Sequence, residues 1–220
     1  MNIKNLKEKV GWEALNYIES SEIIGVGSGS TVSFFIQALA TIKHKIDGVV
    51  SSSKDTTTKL NNLGIPVINC NDVDSIPIYV DSANEINNKL QMIKGGGAAL
   101  TQEKVIAAVS KKFICIVDVS KKVDILGNYP IPLEVIPMAR SYVAREIVKM
   151  GGYPQYRQGI ITDNGNIIID IFNLNNIIDP NFLEKKLNMI AGIITVGIFA
   201  IRRADIALIS TNNGITVLNS

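Results

Sequence analysis

Lys94, the glycine run Gly95, Gly96 and Gly97, and Glu103 stand together in the segment IKGGGAALTQEK, Ile93 to Lys104. Lysine supplies a cation, and consecutive glycines let a backbone approach a ligand closely at a cost in conformational entropy. The residues that follow read as a helix over Thr101 to Val109, with Thr101 as its cap and Glu103 in its first turn. There the helix dipole and Lys94 favour an ionised carboxylate. A carboxylate beside a cation and a ring of N–H donors is what proton abstraction next to a carbonyl requires. The carboxylate takes the carbon-bound proton, and the positive groups stabilise the oxyanion that develops. Taken alone, Glu103 also fits an ordinary first-turn acid on a solvated helix face.

A second glycine-rich stretch, GVGSGST, Gly25 to Thr31, joins an apolar run to a helical pattern. Exposed N–H groups and the helix dipole favour an anion at such a junction. The dinucleotide fingerprint fails in both registers, because the sixth residue is Ser30 counted from Gly25 and Val32 counted from Gly27; the lysine of a P-loop is missing too. What is left is a small loop, Ser28, Gly29, Ser30 and Thr31, whose hydroxyl and N–H donors suit a monophosphate. The alternative is a tight strand-to-helix turn capped by Ser30 or Thr31.

Asp81 ends the apolar run IPIYVD, and ligands in open α/β sheets bind beyond the carboxyl ends of strands. The stretch DSANE then places Asp81, Ser82, Ala83, Asn84 and Glu85 in a loop facing a crevice, unless Asp81 merely turns the chain. Lys121, in VSKKVD after FICIVD, either reaches that crevice as a phosphate partner or lies solvated on the surface.

These groups must be held by the surrounding elements. Leu6, Val10, Ala14 and Tyr17 recur at helical spacing, and so do Val32, Phe35, Ile36, Leu39 and Ile42; EIIGV, GVVSSS and KFICIVD read as buried strands. KDTTTKLNNLG reads as a helix closed by Gly64, and PVIN as another short apolar run. Strands alternating with helices at this rhythm predict a parallel sheet with helices on both faces. From Pro130 the texture changes. PIPLEVIP, a helix over Arg140 to Met150, a hairpin in GIITDNGNIIIDIF with Asn164-Gly165 at its turn, a helix that Asp179 and Pro180 open, and a strand GIITVGIF predict a small α+β domain over 130–199. ADIALIS reads as a strand returning to the first domain, 1–129 plus 200–220.

The chain has 220 residues, 46% hydrophobic and 19% charged, enough for a sizeable core. A net charge of +2 gives no electrostatic case for nucleic acid or an anionic membrane, and no apolar run is long enough to span one. The charged, amphipathic start does not read as a secretory signal. His44, the one histidine, sits between two lysines and reads as surface; Cys115, in FICIV, reads as a buried free thiol away from Cys70. With no Cys or His cluster, a zinc site is nearly excluded, and the expectation is a cytoplasmic, metal-independent protein.

GVGSGST, VSSS, YVDSANEI, MIKGGGAALTQEK, FICIVD, VDILG, PLEVIPMA and TDNGNIIID follow one another in an order that resembles type A ribose-5-phosphate isomerase, with VGWEAL near the start and ADIAL near the finish. The resemblance runs almost end to end. It implies an aldose–ketose isomerase of the non-oxidative pentose phosphate pathway that interconverts ribose 5-phosphate and ribulose 5-phosphate through an enediolate. It implies no metal or organic cofactor, and a homodimer or larger homo-oligomer. It also implies a Rossmann-like parallel sheet domain with a smaller ferredoxin-like α+β domain. Carried over by position, Glu103 matches the base, Lys94 the lysine that stabilises the intermediate, and Asp81 an acid placed to help open the sugar ring. Ser28 to Thr31, Asp81 to Asn84, Lys94 to Gly97 and Lys121 match the substrate-binding segments.

The pattern departs from the family at Asn84, where an aspartate is expected, and at Ser82, where a glycine is. Asn84 cannot ionise, which implies slower ring opening; Ser82 is strained if that position needs positive φ. Ile201 and Arg203 stand where Asn and Gly are more usual. Two other readings fit parts of the pattern: a non-catalytic sugar-phosphate sensor on the same fold, and a transferase acting on acyl-CoA thioesters.

Overall fold

The structure, a computed structural model, describes residues 2–20, 22–174 and 177–220. Asn2 opens α1 (Ile3–Glu13) by accepting from Lys4 N, and Leu6 and Val10 turn its apolar stripe inward. There follow β1 (Ile23–Val26), α2 (Ser30–Ala40), β2 (Gly48–Ser51), α3 (Lys54–Asn62) and β3 (Ile76–Asp81). Two short strands, β4 (Glu85–Ile86) and β5 (Met92–Ile93), precede α4 (Leu100–Val109) and β6 (Ser110–Asp118). Ser53 caps α3, and Gly64, at φ +68°, closes it as read from the sequence. PVIN contributes a single bridge, Val67 to Val49.

β7 (Ile131–Val135), α5 (Arg140–Lys149), β8 (Tyr153–Ile161), β9 (Ile167–Phe172), α6 (Pro180–Asn188) and β10 (Ile193–Val196) come next. The chain then runs through β11 (Ile198–Phe199) to β12 (Ile206–Thr211) and β13 (Gly214–Asn219). Asp179 caps α6 by accepting from Phe182 N at 3.0 Å, with Pro180 at the first position.

The main sheet has the order β13-β12-β6-β3-β1-β2; all its pairs are parallel except the edge pair β12–β13. Side chains alternate across it. Ile114 and Ile116 of β6 join the core under α1 and α2, while Phe113, Cys115 and Val117 join the core under α4. Both faces being covered, FICIV is apolar without a break. From β1 the chain winds one way to β2 and the other way to β3, so a crevice opens beyond the carboxyl ends of β1 and β3.

The second sheet, β10-β7-β9-β8, is antiparallel throughout. With α5 and α6 it makes the β-α-β-β-α-β arrangement of a ferredoxin-like unit around its own core, Leu133, Val143, Ile147, Ile169 and Leu187 among others. The fold is a Rossmann-like sheet with a smaller ferredoxin-like α+β unit. Asn164 and Gly165 do lie at the β8–β9 turn, but within a longer loop in which Thr162 N donates to Asn166 O.

The stretch GIITVGIF is not one strand. It divides at Gly197 into β10 and β11, and β11 pairs with β5 in a third, three-stranded sheet. A Cβ on Gly197 would fall 2.5 Å from Lys94 O and 2.8 Å from Pro132 O, so the chain crosses between units where only glycine fits. The two expected caps also differ. α2 begins after Gly29, at φ +96°, and α4 after Ala99, each without a side-chain cap; Ser30, Thr31 and Thr101 lie inside their helices.

Gly11 sets the approach of α1 to α2, since a Cβ there would stand 2.8 Å from Phe34 Cβ and Phe35 N. Gly11→Ala is expected to lower unfolding free energy by about 1–3 kcal/mol through overpacking, read from urea denaturation with the fold retained by circular dichroism.

Candidate active site

The crevice is built around a carboxylate that never reaches it. β3 ends at Asp81, fully buried, and Gly27 carries the first loop over it; a Cβ on Gly27 would lie 1.9 Å from Asp81 Oδ1. Ser28 N at 3.0 Å and Ser82 N at 2.7 Å donate to Oδ1. The Tyr79 hydroxyl donates to Oδ2, and so does Lys94 Nζ at 2.7 Å. Each carboxylate oxygen thus takes two donors.

Lys94, buried at the end of β5, also donates to Ser82 O at 2.5 Å and lies 3.2 Å from Glu103 Oε2. Glu103, in the first turn of α4, is buried as well, and Ser28 Oγ donates to its Oε1 at 2.6 Å. Its Oε2 receives no hydrogen bond, so the contact with Lys94 is ionic only. One oxygen of Glu103 is anchored, and the other is buried with its lone pairs uncommitted to any hydrogen bond.

Charge and burial compete here. Burial alone lowers the Lys94 ammonium's affinity for its proton, but Asp81 and then Glu103 outweigh it and raise its pKa above the usual range. Lys94 is a fixed cation. For Glu103, burial first and Asp81 second raise the carboxyl above its usual 4.5, against the opposing pull of Lys94 and Ser28. Burial and the charges of Asp81 and Glu103 raise Tyr79 far above its usual value, so it remains a neutral donor.

The glycine loop arches over this pair. Gly95 takes φ +100° and Ala98 takes +62°, a left-handed turn closed by Ala98 N donating to Gly95 O at 3.0 Å. Gly96 N donates to Asn84 Oδ1 at 3.0 Å. From β8, Arg157 Nη1 donates to Gly95 O at 3.2 Å and Gly96 O at 3.0 Å, while its Nε is held by Asp170 at 2.8 Å. The ferredoxin-like unit thus grips the loop from behind.

A cavity of about 200 Å³ results, lined by Ser28 to Thr31, Ser82 to Asn84, Lys94 to Gly97, Glu103 and Lys121. The structure brings together the site residues read from the sequence except Glu85, with Asp81 beneath the lining and not part of it. Lys121 reaches the cavity from a 3₁₀ turn after β6. Sequence reasoning missed Lys7, which also lines the cavity and donates to Ser30 Oγ at 2.9 Å. It is one of three closely spaced lysines on α1, and nothing in their spacing singles it out.

Glu85 does not face the crevice: buried, it accepts from Gly127 N at 2.9 Å and from Tyr129 N, tying down the VDILG segment. Ser82 is unstrained, because among the described residues only Leu90, Ala98 and Asn173 are non-glycines at positive φ. Its hydroxyl donates to Ser28 O at 3.2 Å and joins the two loops. Ile201 is exposed and Arg203 donates to Lys89 O, so neither departure touches the site. His44 is exposed, and Cys115 is a buried free thiol pushed up to about 12 by burial first.

The arrangement pairs a base and a fixed cation with a loop, a helix start and two lysines suited to a phosphate. The sequence profile described as ribose 5-phosphate isomerase A (phosphoriboisomerase A) matches residues 48–214. A ribose-5-phosphate isomerase A of Baumannia cicadellinicola subsp. Homalodisca coagulata is 63% identical over 213 residues, 96% of this chain and 95% of the relative. Among solved structures, ribose 5-phosphate isomerase A from Neisseria gonorrhoeae superposes with a TM-score of 0.97 at 42% identity, covering 99% of this chain and 97% of its own. A D-ribose-5-phosphate isomerase in complex with phospho-erythronic acid superposes at 0.96 with 38% identity, covering 100% of both chains. The chain belongs to the ribose 5-phosphate isomerase A family and is an aldose–ketose isomerase of ribose 5-phosphate.

Proposed function

We propose that Glu103, Lys94 and Asp81 carry out the interconversion of ribose 5-phosphate and ribulose 5-phosphate, a step of the non-oxidative pentose phosphate pathway. The observation that carries this reading is the buried Oε2 of Glu103, which accepts no hydrogen bond and lies 3.2 Å from a buried ammonium. In the open-chain aldose, C2–H is acidified by the C1 aldehyde. Glu103 takes that proton, leaving an enediolate, and returns it to C1 while a proton passes from O2 to O1. Lys94, itself buried, opposes the negative charge as it grows on oxygen.

Asp81 acts through Lys94. With its acceptor positions occupied, it holds the ammonium in place and charged while Lys94 assists ring opening. Ser28 to Thr31, Lys7 and Lys121 hold the phosphate. Ser82, Ala83 and Asn84, with Gly95 to Gly97, frame the sugar. The phospho-erythronic acid of the related complex is a phosphorylated acid of this kind, its carboxylate matching an anionic intermediate in charge.

We further read the chain as two domains, 1–129 with 200–220 and 130–199, acting in the cytoplasm as a homodimer. Two free cysteines fit a reducing compartment. Exposed Tyr153, Ile160 and Ile161 on the edge strand β8 fit a covered face in a dimer.

Purified protein is expected to form ribulose 5-phosphate from ribose 5-phosphate in a coupled assay. Glu103→Gln should lose about 10³-fold in kcat, the range for a positioned proton-transfer group; full activity in that variant would refute the assignment. Because the ionised carboxylate is the active form and its pKa is raised, kcat/KM should fall on the acid side along a limb lying above pH 4.5. The residual rate of Glu103→Gln should show no such limb. Asn84→Asp should raise kcat several-fold where ring opening limits the rate, measured beside the parent chain with the same furanose substrate.

A further inference from the structure

Two of the motifs that carry the resemblance, PLEVIPMA and TDNGNIIID, contribute nothing to the cavity lining, yet the structure joins them at one buried carboxylate. Glu134, in β7, is fully buried and belongs to no ion pair among the described residues. Neutral donors surround it instead. Its Oε1 accepts from Thr162 Oγ1 at 2.8 Å, Asn164 Nδ2 at 3.0 Å and Asn166 Nδ2 at 2.8 Å, all in the turn between β8 and β9. Its Oε2 accepts from Thr101 Oγ1 at 2.5 Å, in the first turn of α4.

Thr101 has one hydroxyl proton, committed to Glu134. The 2.7 Å contact between Thr101 Oγ1 and Thr195 Oγ1 is therefore donated by Thr195 of β10. Two further bonds tie the same turn to the larger unit: Lys54 N donates to Asp163 Oδ2 at 2.8 Å, and Gln102 Nε2 donates to Asn164 Oδ1 at 3.2 Å. α4 needs such an external hold. It has no side-chain cap of its own, and it follows Ala98 in a left-handed conformation.

We propose that Glu134 is a positioning residue for the reaction: through Thr101 it fixes where α4 begins, and with it the reach of Glu103 toward the substrate. The inference rests on Glu103 as the base. A displacement of about 1 Å at a reacting group costs up to about 10²-fold in rate. The phosphate contacts come from other elements, so the loss falls on kcat and leaves KM nearly unchanged. The device is geometric and does not need the charge. A glutamine at 134 keeps an oxygen for the three turn donors, and its amide donates to Thr101, whose own proton then turns to Thr195.

The test compares Thr101→Val, Glu134→Leu and Glu134→Gln by steady-state kinetics with ribose 5-phosphate, with the folded fraction measured in the same samples. Thr101→Val is expected to lower kcat about tenfold and Glu134→Leu about a hundredfold, each with KM within about threefold of the parent, while Glu134→Gln keeps most of the parent kcat. Unchanged kcat in Thr101→Val overturns the proposal. So does a loss in Glu134→Leu that tracks only the folded fraction, or a Glu134→Gln as slow as Glu134→Leu. If Glu134→Leu does not fold, Thr101→Val alone decides. Glu103→Gln separates the two readings: full activity there defeats the base assignment, whereas an inactive Glu103→Gln beside an unaffected Thr101→Val defeats only this one.

Discussion

One ammonium group organises this molecule. Lys94 is buried between Asp81 and Glu103, and a charge so placed is tolerable only when paired and hydrogen-bonded. Removing one partner of a buried pair costs about 3–5 kcal/mol, so the surroundings are committed to keeping all three groups in register. Gly27 is a glycine because Asp81 fills the space a side chain would take. Tyr79 and the amides of Ser28 and Ser82 fill the remaining acceptor positions of Asp81. Two carboxylates against one ammonium leave an excess of negative charge, and the structure lets it fall on Glu103, the carboxylate that faces the cavity. The electrostatic compromise that holds the site together is also what makes its glutamate more basic.

The division of labour between the two sheets follows. The Rossmann-like sheet delivers Asp81 and the loop after β1 to its switch point, as its winding dictates. It does not, by itself, hold the glycine loop or α4. Those are steadied from the ferredoxin-like unit, by Arg157 on the carbonyls of Gly95 and Gly96 and by Glu184, which pairs with Lys104 at 2.5 Å. Lys104 in turn lies 4.5 Å from the centre of the Phe199 ring, and Lys94 lies 5.4 Å from it, so a single aromatic face borders both cations.

Much of this was legible in the sequence. The alternation of apolar runs with helical stripes gave the parallel sheet, because FICIV and IPIYV are buried on both faces and show it in composition. The candidate site was legible at Lys94, Glu103 and the loop Ser28 to Thr31, where residue type and local spacing coincide and which the structure brings to one cavity. What could not be read depends on contacts distant along the chain. Glu85 looks like a second crevice acid beside Asp81, and only the fold shows it turned toward Gly127 and Tyr129. Thr101 has the composition of a cap, yet its hydroxyl is claimed by Glu134. Lys7 gains its place because α1 packs beside the start of α2, which no pattern within α1 announces.

The crossing at Gly197 has a consequence for how the protein comes into being. Lys94 N donates to Gly197 O, and β5 pairs with β11, so the backbone that aims the ammonium is stitched by residues translated long after it. A growing chain assembles its early parts first. Until β11 and β12 emerge from the ribosome, one edge of β6 is unpaired and the backbone at Lys94 lacks its bond to Gly197 O, so the pocket is completed last, and its completion depends on the synthesis of almost the whole polypeptide.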